Sequence, residues 1–156
     1  MRISELITPA RVACGVEAGS KKRVLELLGE LAVADVPDLT AAEAFDSLIE
    51  RERLGGTGLG HGVALPHGRL KGGRRAIGAL MTLKEGIDFD APDRQPVDLL
   101  FALLVPEHYT DEHLQILAQL AKLFSDARLC ETLRGCATGA ELPAAVADWE
   151  RRQAAS

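Results

Sequence analysis

The sequence lacks several features that mark membrane-inserted, exported or nucleic-acid-binding proteins. No apolar run approaches the length of about 18 residues that a membrane-spanning helix requires. Basic residues are in the minority, with 18 Lys and Arg against 23 Asp and Glu, whereas nonspecific nucleic-acid binding needs a basic surface. Glu5 and Pro9 interrupt the first residues, where an export signal would be continuously apolar. We therefore expect a cytoplasmic protein that binds no nucleic acid and does not insert into membranes.

Cysteine and recognisable metal-ligand patterns are also scarce. The chain has three cysteines, Cys14, Cys130 and Cys136. Their odd number and their spacing fit neither a zinc site nor a disulfide framework, so we expect all three to be reduced. The four histidines are His61, His67, His108 and His113. Because no cysteine or carboxylate stands at a typical ligand spacing from them, we expect no metal site.

Two common catalytic motifs are missing as well. The chain contains neither a G-x-S-x-G nucleophile elbow nor a G-x-x-x-x-G-K-[ST] phosphate loop. These absences argue against a serine hydrolase and against a nucleotide hydrolase of the phosphate-loop class.

What is present is a regular alternation of helical and strand-like patterns in 156 residues, the length of one average domain. Helices are predicted over residues 20–35, 40–53, 110–124, 128–133 and 140–151, and strands over 63–65, 75–83 and 97–105. Ser20 is a predicted N-cap, and Thr40 and Glu43 have capping-box spacing. The predicted buried stripe of the helix over 110–124 is Leu114, Leu117, Leu120 and Ala121. The pattern predicts one α/β domain over residues 1–152, with helices packed on a central sheet, and a frayed tail over residues 153–156.

The segment GLGHGVALPHGR, residues 58–69, stands out within this pattern. Residues 63–65 should form a short strand that Pro66 ends, and Gly68 should permit a sharp exit, which places His67 at a strand end. Sites in α/β sheets usually form at strand ends. The surrounding glycines allow backbone N–H groups to approach an anion such as phosphate. On these residues alone, an ordinary turn or surface role for His67 is the more common alternative.

Two longer segments carry a resemblance to a known family. IERERLGGTGLGHGVALPHGR and QPVDLLFALLVPEHYTDEHLQILAQLAKLF resemble the enzyme IIA family of the bacterial phosphoenolpyruvate-dependent phosphotransferase system. Within its fructose/mannitol-type group, the chain is most similar to the nitrogen-regulatory type. The resemblance runs from SELITP to the last helix. It implies the type-2 IIA fold, with a central mixed β-sheet flanked by helices, and a phosphocarrier that needs no cofactor.

The resemblance also implies roles for individual residues. The histidine of the family motif P-H-G-[RK] is the phosphoryl acceptor, which here is His67. Arg51 matches an arginine near the acceptor, and His113 matches a second family histidine that would orient His67 or bind a phosphoryl oxygen. Without the family match, Arg51 and His113 would read as exposed helix residues. The implied phosphate-binding set is completed by Thr57, Gly58 and Gly68.

The same resemblance implies partners. The donor would be an HPr-like phosphohistidine carrier, charged from phosphoenolpyruvate through enzyme I. The phosphorylated protein would regulate partner proteins, such as potassium-transport components or sensor kinases. One alternative is a fructose/mannitol-type IIA that passes phosphate to a IIB component for sugar uptake, and another is a docking module that has lost phosphotransfer. The apolar rim for docking is predicted from Leu59, Val63, Leu65 and Leu70.

Overall fold

Six strands and five α-helices lie along residues 2–73 and 75–155, the part of the chain that this computed structural model describes. The helices are α1 (Lys21–Ala32), α2 (Ala41–Leu54), α3 (Asp111–Phe124), α4 (Ala127–Arg134) and α5 (Glu141–Ala155). The strands are β1 (Val12–Val16), β2 (Gly58–Gly60), β3 (Val63–Ala64), β4 (His67–Leu70), β5 (Ile77–Ile87) and β6 (Val97–Pro106). Two short 3-10 helices, Ile3–Glu5 and Pro9–Arg11, precede β1.

The strands form one mixed sheet in the order β1-β5-β6-β3-β2, with β4 also paired to β6. β6 is antiparallel to β5 on one side and parallel to both β3 and β4 on the other. β3 and β4 follow one another along the same edge of β6, because only Leu65 and Pro66 separate the two strands. Val63 pairs with Leu99 and His67 with Leu103. The predicted α/β fold with a central mixed sheet is confirmed.

The sheet separates two apolar cores. Alternate residues of β6 face opposite sides, as the two-residue period of a strand requires. Leu99 and Phe101 pack with α3, α4 and α5, whereas Leu100 and Ala102 pack with α1 and α2. Nearly all of β6 is buried, which its almost continuous apolar sequence predicts for a central strand.

The predicted N-caps of the first two helices are both present. The Ser20 hydroxyl accepts a hydrogen bond from the Arg23 N–H at 3.1 Å. Thr40 and Glu43 form a reciprocal capping box, so backbone donors at the start of α2 are satisfied by side chains. Strand β5 extends four residues beyond its predicted end at residue 83. Residues 84–86 are exposed, and so they lack the apolar pattern on which the prediction depended.

The predicted buried stripe of α3 is wrong for two of its members. Leu114 is 67% exposed and Ala121 is exposed, because the helix packs on the sheet through a neighbouring stripe. The buried residues of α3 are His113, Ile116, Leu120, Leu123 and Phe124. Both stripes are rich in apolar residues, and the sequence alone did not distinguish them. The shift brings His113 into the protein.

Two further expectations need correction. Cys14 of β1 and Cys136, just after α4, form a disulfide, so the expectation of three reduced cysteines is wrong for this pair, while Cys130 is free and buried. Their separation of 122 residues concealed a contact that only the folded chain creates. Helix α5 continues to Ala155, four residues beyond its predicted end at residue 151, whereas fraying of the tail over residues 153–156 stays a prediction and residue 156 lies outside the described residues.

Across residues 2–73 and 75–155, no helix combines the length and the apolar composition that crossing a membrane requires.

Candidate functional site

His67 is the first residue of β4 and lies half-buried beside the central strand. Its Nδ1 is 2.8 Å from the carbonyl oxygen of Leu65. A carbonyl can only accept a hydrogen bond, so this contact assigns the proton to Nδ1 and leaves a lone pair on Nε2. β3 ends at Ala64, one residue before its predicted end at Leu65, and β4 starts directly after Pro66, so His67 begins the second of two strands that pair with the same edge of β6.

Burial lowers the pKa of His67 below its ordinary value of 6.5. The hydrogen bond to the Leu65 carbonyl opposes this effect, the positive charge of Arg51 adds to it, and the negative charge of Glu52 opposes it. The lowered pKa keeps the imidazole neutral at pH 7. A neutral imidazole with a free Nε2 is a nucleophile.

His113 lies next to this ring, in the first turn of α3. The centroids of the two imidazoles are 5.6 Å apart, and the ring planes meet edge to face at 73°. The pKa of His113 is lowered to about 4, mainly by burial and to a smaller extent by the positive charges of protonated His67 and of Arg69. Among the buried side-chain nitrogen and oxygen atoms of the described residues, only Nε2 of His113 has no hydrogen-bond partner. Such a buried polar atom is rare and costly.

Arg51 occupies the last turn of α2, the helix that packs against β4. Its Nη1 donates to the carbonyl oxygen of Gly55 at 2.8 Å, and its charge acts on His67. A guanidinium has five N–H donors, so Arg51 retains donors beyond this bond. The structure thus brings together the three residues that the sequence proposed as catalytic, His67, His113 and Arg51.

The three predicted phosphate-binding residues have structural explanations in the fold. Thr57 is buried, and its hydroxyl and its N–H both donate to the Glu52 carboxylate. A Cβ on Gly58 would lie 3.0 Å from the Cα of Ala91, so any larger residue would press against this backbone. Phosphate contact by Thr57 and Gly58 stays a prediction.

Gly68 likewise has a packing role, and the sharp exit predicted there is wrong. The residue continues β4 and pairs with Leu104 of β6. A Cβ at this position would lie 2.6 Å from the backbone oxygen of Ser47 in α2, so only glycine lets the strand approach the helix this closely. Phosphate contact by Gly68 also stays a prediction.

The predicted docking rim is wrong for three of its four members. Val63, Leu65 and Leu70 are buried, and only Leu59 is substantially exposed. The large apolar side chains that do reach solvent among the described residues are Leu54, Leu59 and Leu114. Leu54 ends the helix that carries Arg51, and Leu114 follows His113. The sequence pattern assigns Leu114 to the buried stripe of its helix, and Leu54 lies one residue beyond the predicted end of the helix over residues 40–53.

Sequence analysis also missed Glu52, which is buried between Arg51 and the exposed Arg53. Its Oε2 is 3.0 Å from Nζ of Lys21. In the sequence it is part of a charged run, ERER, which usually marks a solvated helix face. Glu52 lies in the last turn of α2 and Thr57 in the segment that follows it, so only the folded chain shows that the two residues are hydrogen-bonded.

The chemical groups at the site are two neutral imidazoles and one guanidinium. Within residues 2–73 and 75–155, no three His, Cys, Asp or Glu side chains are close enough together to hold a metal ion. Imidazole nitrogens can take up and release a phosphoryl group through an N–P bond, and a guanidinium matches phosphoryl oxygens.

Comparison with known proteins places the chain in a class. Residues 5–148 match the family described as "Phosphoenolpyruvate-dependent sugar phosphotransferase system, EIIA 2", so the chain belongs to this family. Within it, the chain is 43% identical over 153 residues to a nitrogen regulatory protein of Pseudomonas aeruginosa, covering 98% of this chain and 99% of the relative. The expected likeness to the nitrogen-regulatory type is confirmed.

Two further comparisons extend this result. The crystal structure of the nitrogen regulatory protein IIA-Ntr from Neisseria meningitidis superimposes with a TM-score of 0.86 at 43% identity, covering 92% of this chain and 98% of the other. A fructose-specific EIIA component from Haloferax volcanii is 41% identical over 105 residues, which are 66% of this chain and 67% of the relative.

Proposed function

We propose that the protein is a cytoplasmic phosphocarrier in which Nε2 of His67 accepts a phosphoryl group from an HPr-like phosphohistidine carrier. The observation that carries this proposal is the state of the His67 ring. Its Nδ1–H is held by the Leu65 carbonyl and its lowered pKa keeps Nε2 unprotonated. Membership of a phosphotransferase family supports the same chemistry.

In the proposed step, Nε2 of His67 attacks the phosphorus atom in line with the donor's N–P bond. That bond breaks as the new one forms, and the donor imidazole leaves with the electron pair. Nδ1 of His67 keeps its proton and continues to donate it to the Leu65 carbonyl oxygen. Arg51 donates to the phosphoryl oxygens, and its charge offsets theirs. In the neutral Nε2–H tautomer of His113, the unpartnered Nε2 donates a further hydrogen bond to a phosphoryl oxygen.

The proposal includes regulation of partner proteins, with potassium-transport components and sensor kinases as candidates. Phosphorylation adds roughly −1.5 to −2 charges at His67. Leu54 and Leu114 are exposed apolar side chains on the helices that carry Arg51 and His113, so we expect an apolar partner contact close to the switchable charge. Similarity to nitrogen regulatory proteins supports a regulatory role.

The test supplies phosphoenolpyruvate, enzyme I and an HPr-like carrier and follows labelled phosphate on the protein. Wild type should take up close to one phosphoryl group per chain, and His67→Ala should take up none. His108→Ala is the matched control, because His108 is an exposed histidine outside the site, and it should charge like wild type. Undiminished labelling of His67→Ala would refute the acceptor assignment.

The second candidate function is transfer to a IIB component for sugar uptake, which the likeness to the fructose-specific component favours. Phosphorylated protein would be mixed with IIB components of the fructose and mannitol systems, and loss of label from His67 would be timed. Transfer within seconds would favour the transport role. Retention of label, together with a change in partner binding on phosphorylation, would favour the regulator.

A further inference from the structure

The buried carboxylate of Glu52 is fully engaged at the end of α2. Glu52 is 6% exposed. Its Oε2 accepts from Nζ of Lys21 at 3.0 Å and from the N–H of Thr57 at 2.9 Å, and its Oε1 accepts from the Thr57 hydroxyl at 2.6 Å. A buried carboxylate is stable only when it is paired and hydrogen-bonded in this way. Both donors of Thr57 are therefore fixed to one side chain.

A continuous series of hydrogen bonds leads from this carboxylate to the His67 ring. The carbonyl oxygen of Thr57 accepts from the Leu65 N–H at 2.9 Å. The carbonyl oxygen of the same Leu65 accepts from Nδ1 of His67 at 2.8 Å. Glu52 thus fixes Thr57, Thr57 fixes the peptide of Leu65, and Leu65 fixes the imidazole.

We propose that Glu52 is a positioning residue for His67, acting through Thr57 and Leu65 to hold the Nδ1–H tautomer and to aim Nε2 at the incoming phosphorus. This inference rests on the proposed phosphocarrier function. It assigns the reactive state of the ring to a residue that never touches the phosphoryl group.

The physical reason lies in what the Leu65 carbonyl does for the ring. An imidazole without a partner at Nδ1 also populates the Nε2–H tautomer, which has no lone pair on the attacking nitrogen. If Thr57 loses its anchor, the Leu65 peptide is free to rotate and Nδ1 loses a correctly placed acceptor. A shift of this kind reduces both the reactive fraction of the ring and its alignment.

Lys21 gives the series a rigid end. Its ammonium also pairs with Asp90 at 3.1 Å and lies 4.7 Å from the centroid of the Phe89 ring. Burial lowers the pKa of Lys21, but the hydrogen bonds to Glu52 and Asp90 outweigh burial and raise it. Lys21 therefore stays charged and ties α1, α2 and the segment between β5 and β6 to one carboxylate.

The experiment measures the His67 tautomer by 15N NMR of the ring nitrogens, in the full chain without any phosphotransferase partner. Wild type should show a single Nδ1–H tautomer. Glu52→Gln places an amide N–H₂ against the donors of Lys21 and Thr57, and Thr57→Val removes the hydroxyl. Both variants should show a mixture of the two tautomers. Thr57→Ser should restore the single tautomer. Asp90→Asn is the matched control, because it removes only the exposed partner of Lys21.

The second measurement is the initial rate of phosphoryl uptake from the HPr-like carrier. We expect Glu52→Gln and Thr57→Val to charge about 10-fold more slowly than wild type, while the final labelling stays unchanged. Circular dichroism establishes which variants fold. If Glu52→Gln does not fold, the inference is tested on Thr57→Val. A single unchanged tautomer in folded Thr57→Val overturns the inference and leaves the phosphocarrier untouched. If the variants show mixed tautomers but wild type takes up no phosphate, only the proposed function is refuted and the positioning role of Glu52 stands.

Discussion

At the scale of single residues, the site is defined by imidazoles that stay neutral. His67 and His113 lie edge to face, and burial lowers the pKa of both rings. The unpartnered Nε2 of His113 carries a cost of about 1–3 kcal/mol in the absence of a ligand. The folded protein thus loses stability at one atom beside the proposed acceptor, His67, and a phosphoryl oxygen there would supply the missing hydrogen-bond partner.

The lowered pKa of His113 predicts a loss of stability in acid. In the unfolded chain the ring has its ordinary pKa of 6.5, whereas in the folded chain the pKa is about 4. Below pH 6.5 the unfolded state therefore takes up a proton that the folded state refuses, and the free energy of unfolding falls until about pH 4. Between pH 7 and pH 4.5 this one residue should account for about 2 kcal/mol.

The measurement is urea unfolding at both pH values for wild type and His113→Gln. The variant should lose less stability in acid than wild type does, because glutamine does not titrate. An equal acid-induced loss in the two proteins would contradict the assignment of this effect to His113.

At the scale of secondary structure, the sequence predicts elements whose signals are local. The caps of α1 and α2 and the apolar run of β6 are examples, and all are present. β4 escaped prediction because its four residues, HGRL, have no strand pattern. It forms because β6 offers a free edge and because α2 packs against it, with the Ser47 hydroxyl donating to the Arg69 carbonyl at 2.8 Å. Such long-range contacts cannot be read from a local pattern.

The close approach of β4 to α2 predicts that Gly68→Ala destabilises the protein. The added methyl group would meet the backbone oxygen of Ser47, which cannot move without displacing the helix. We expect a loss of about 1–3 kcal/mol in the free energy of unfolding. The matched control is Gly19→Ala, since a Cβ there has nothing within 4 Å.

Chemical denaturation of both glycine variants checks this prediction. A Gly68→Ala protein as stable as the control would show that β4 and α2 lie farther apart than the structure places them.

At the scale of the whole molecule, the sequence predicts the class of fold, and the family motifs predict which side chains meet at the site. His67, Arg51 and His113 come from three different elements, so only the resemblance could group them in advance. The resemblance says nothing of the Cys14–Cys136 disulfide, which joins β1 to the segment after α4. Nor did it point to Glu52, whose role depends on burial.

The disulfide predicts a response of global stability to reductant. Its loop of more than 100 residues restricts the unfolded chain, and losing such a link typically costs about 2–4 kcal/mol. Urea unfolding of wild type with and without a thiol reductant should show a difference of this size. Cys14→Ser should be less stable than oxidised wild type and should not respond to the reductant.

Thiol titration of unfolded protein supplies the independent check. Without reductant, oxidised wild type should expose only the thiol of Cys130. Three reactive thiols in freshly purified protein would mean that the pair is not bonded under those conditions.

The link between Cys14 and Cys136 also spans most of the chain, and the segment that carries His67 lies between the two cysteines. A protease that cuts any single peptide bond between these two positions therefore leaves both fragments in one covalent molecule. Nicked protein would migrate as an undivided chain on a gel run without reductant and would separate into two bands only after a thiol is added.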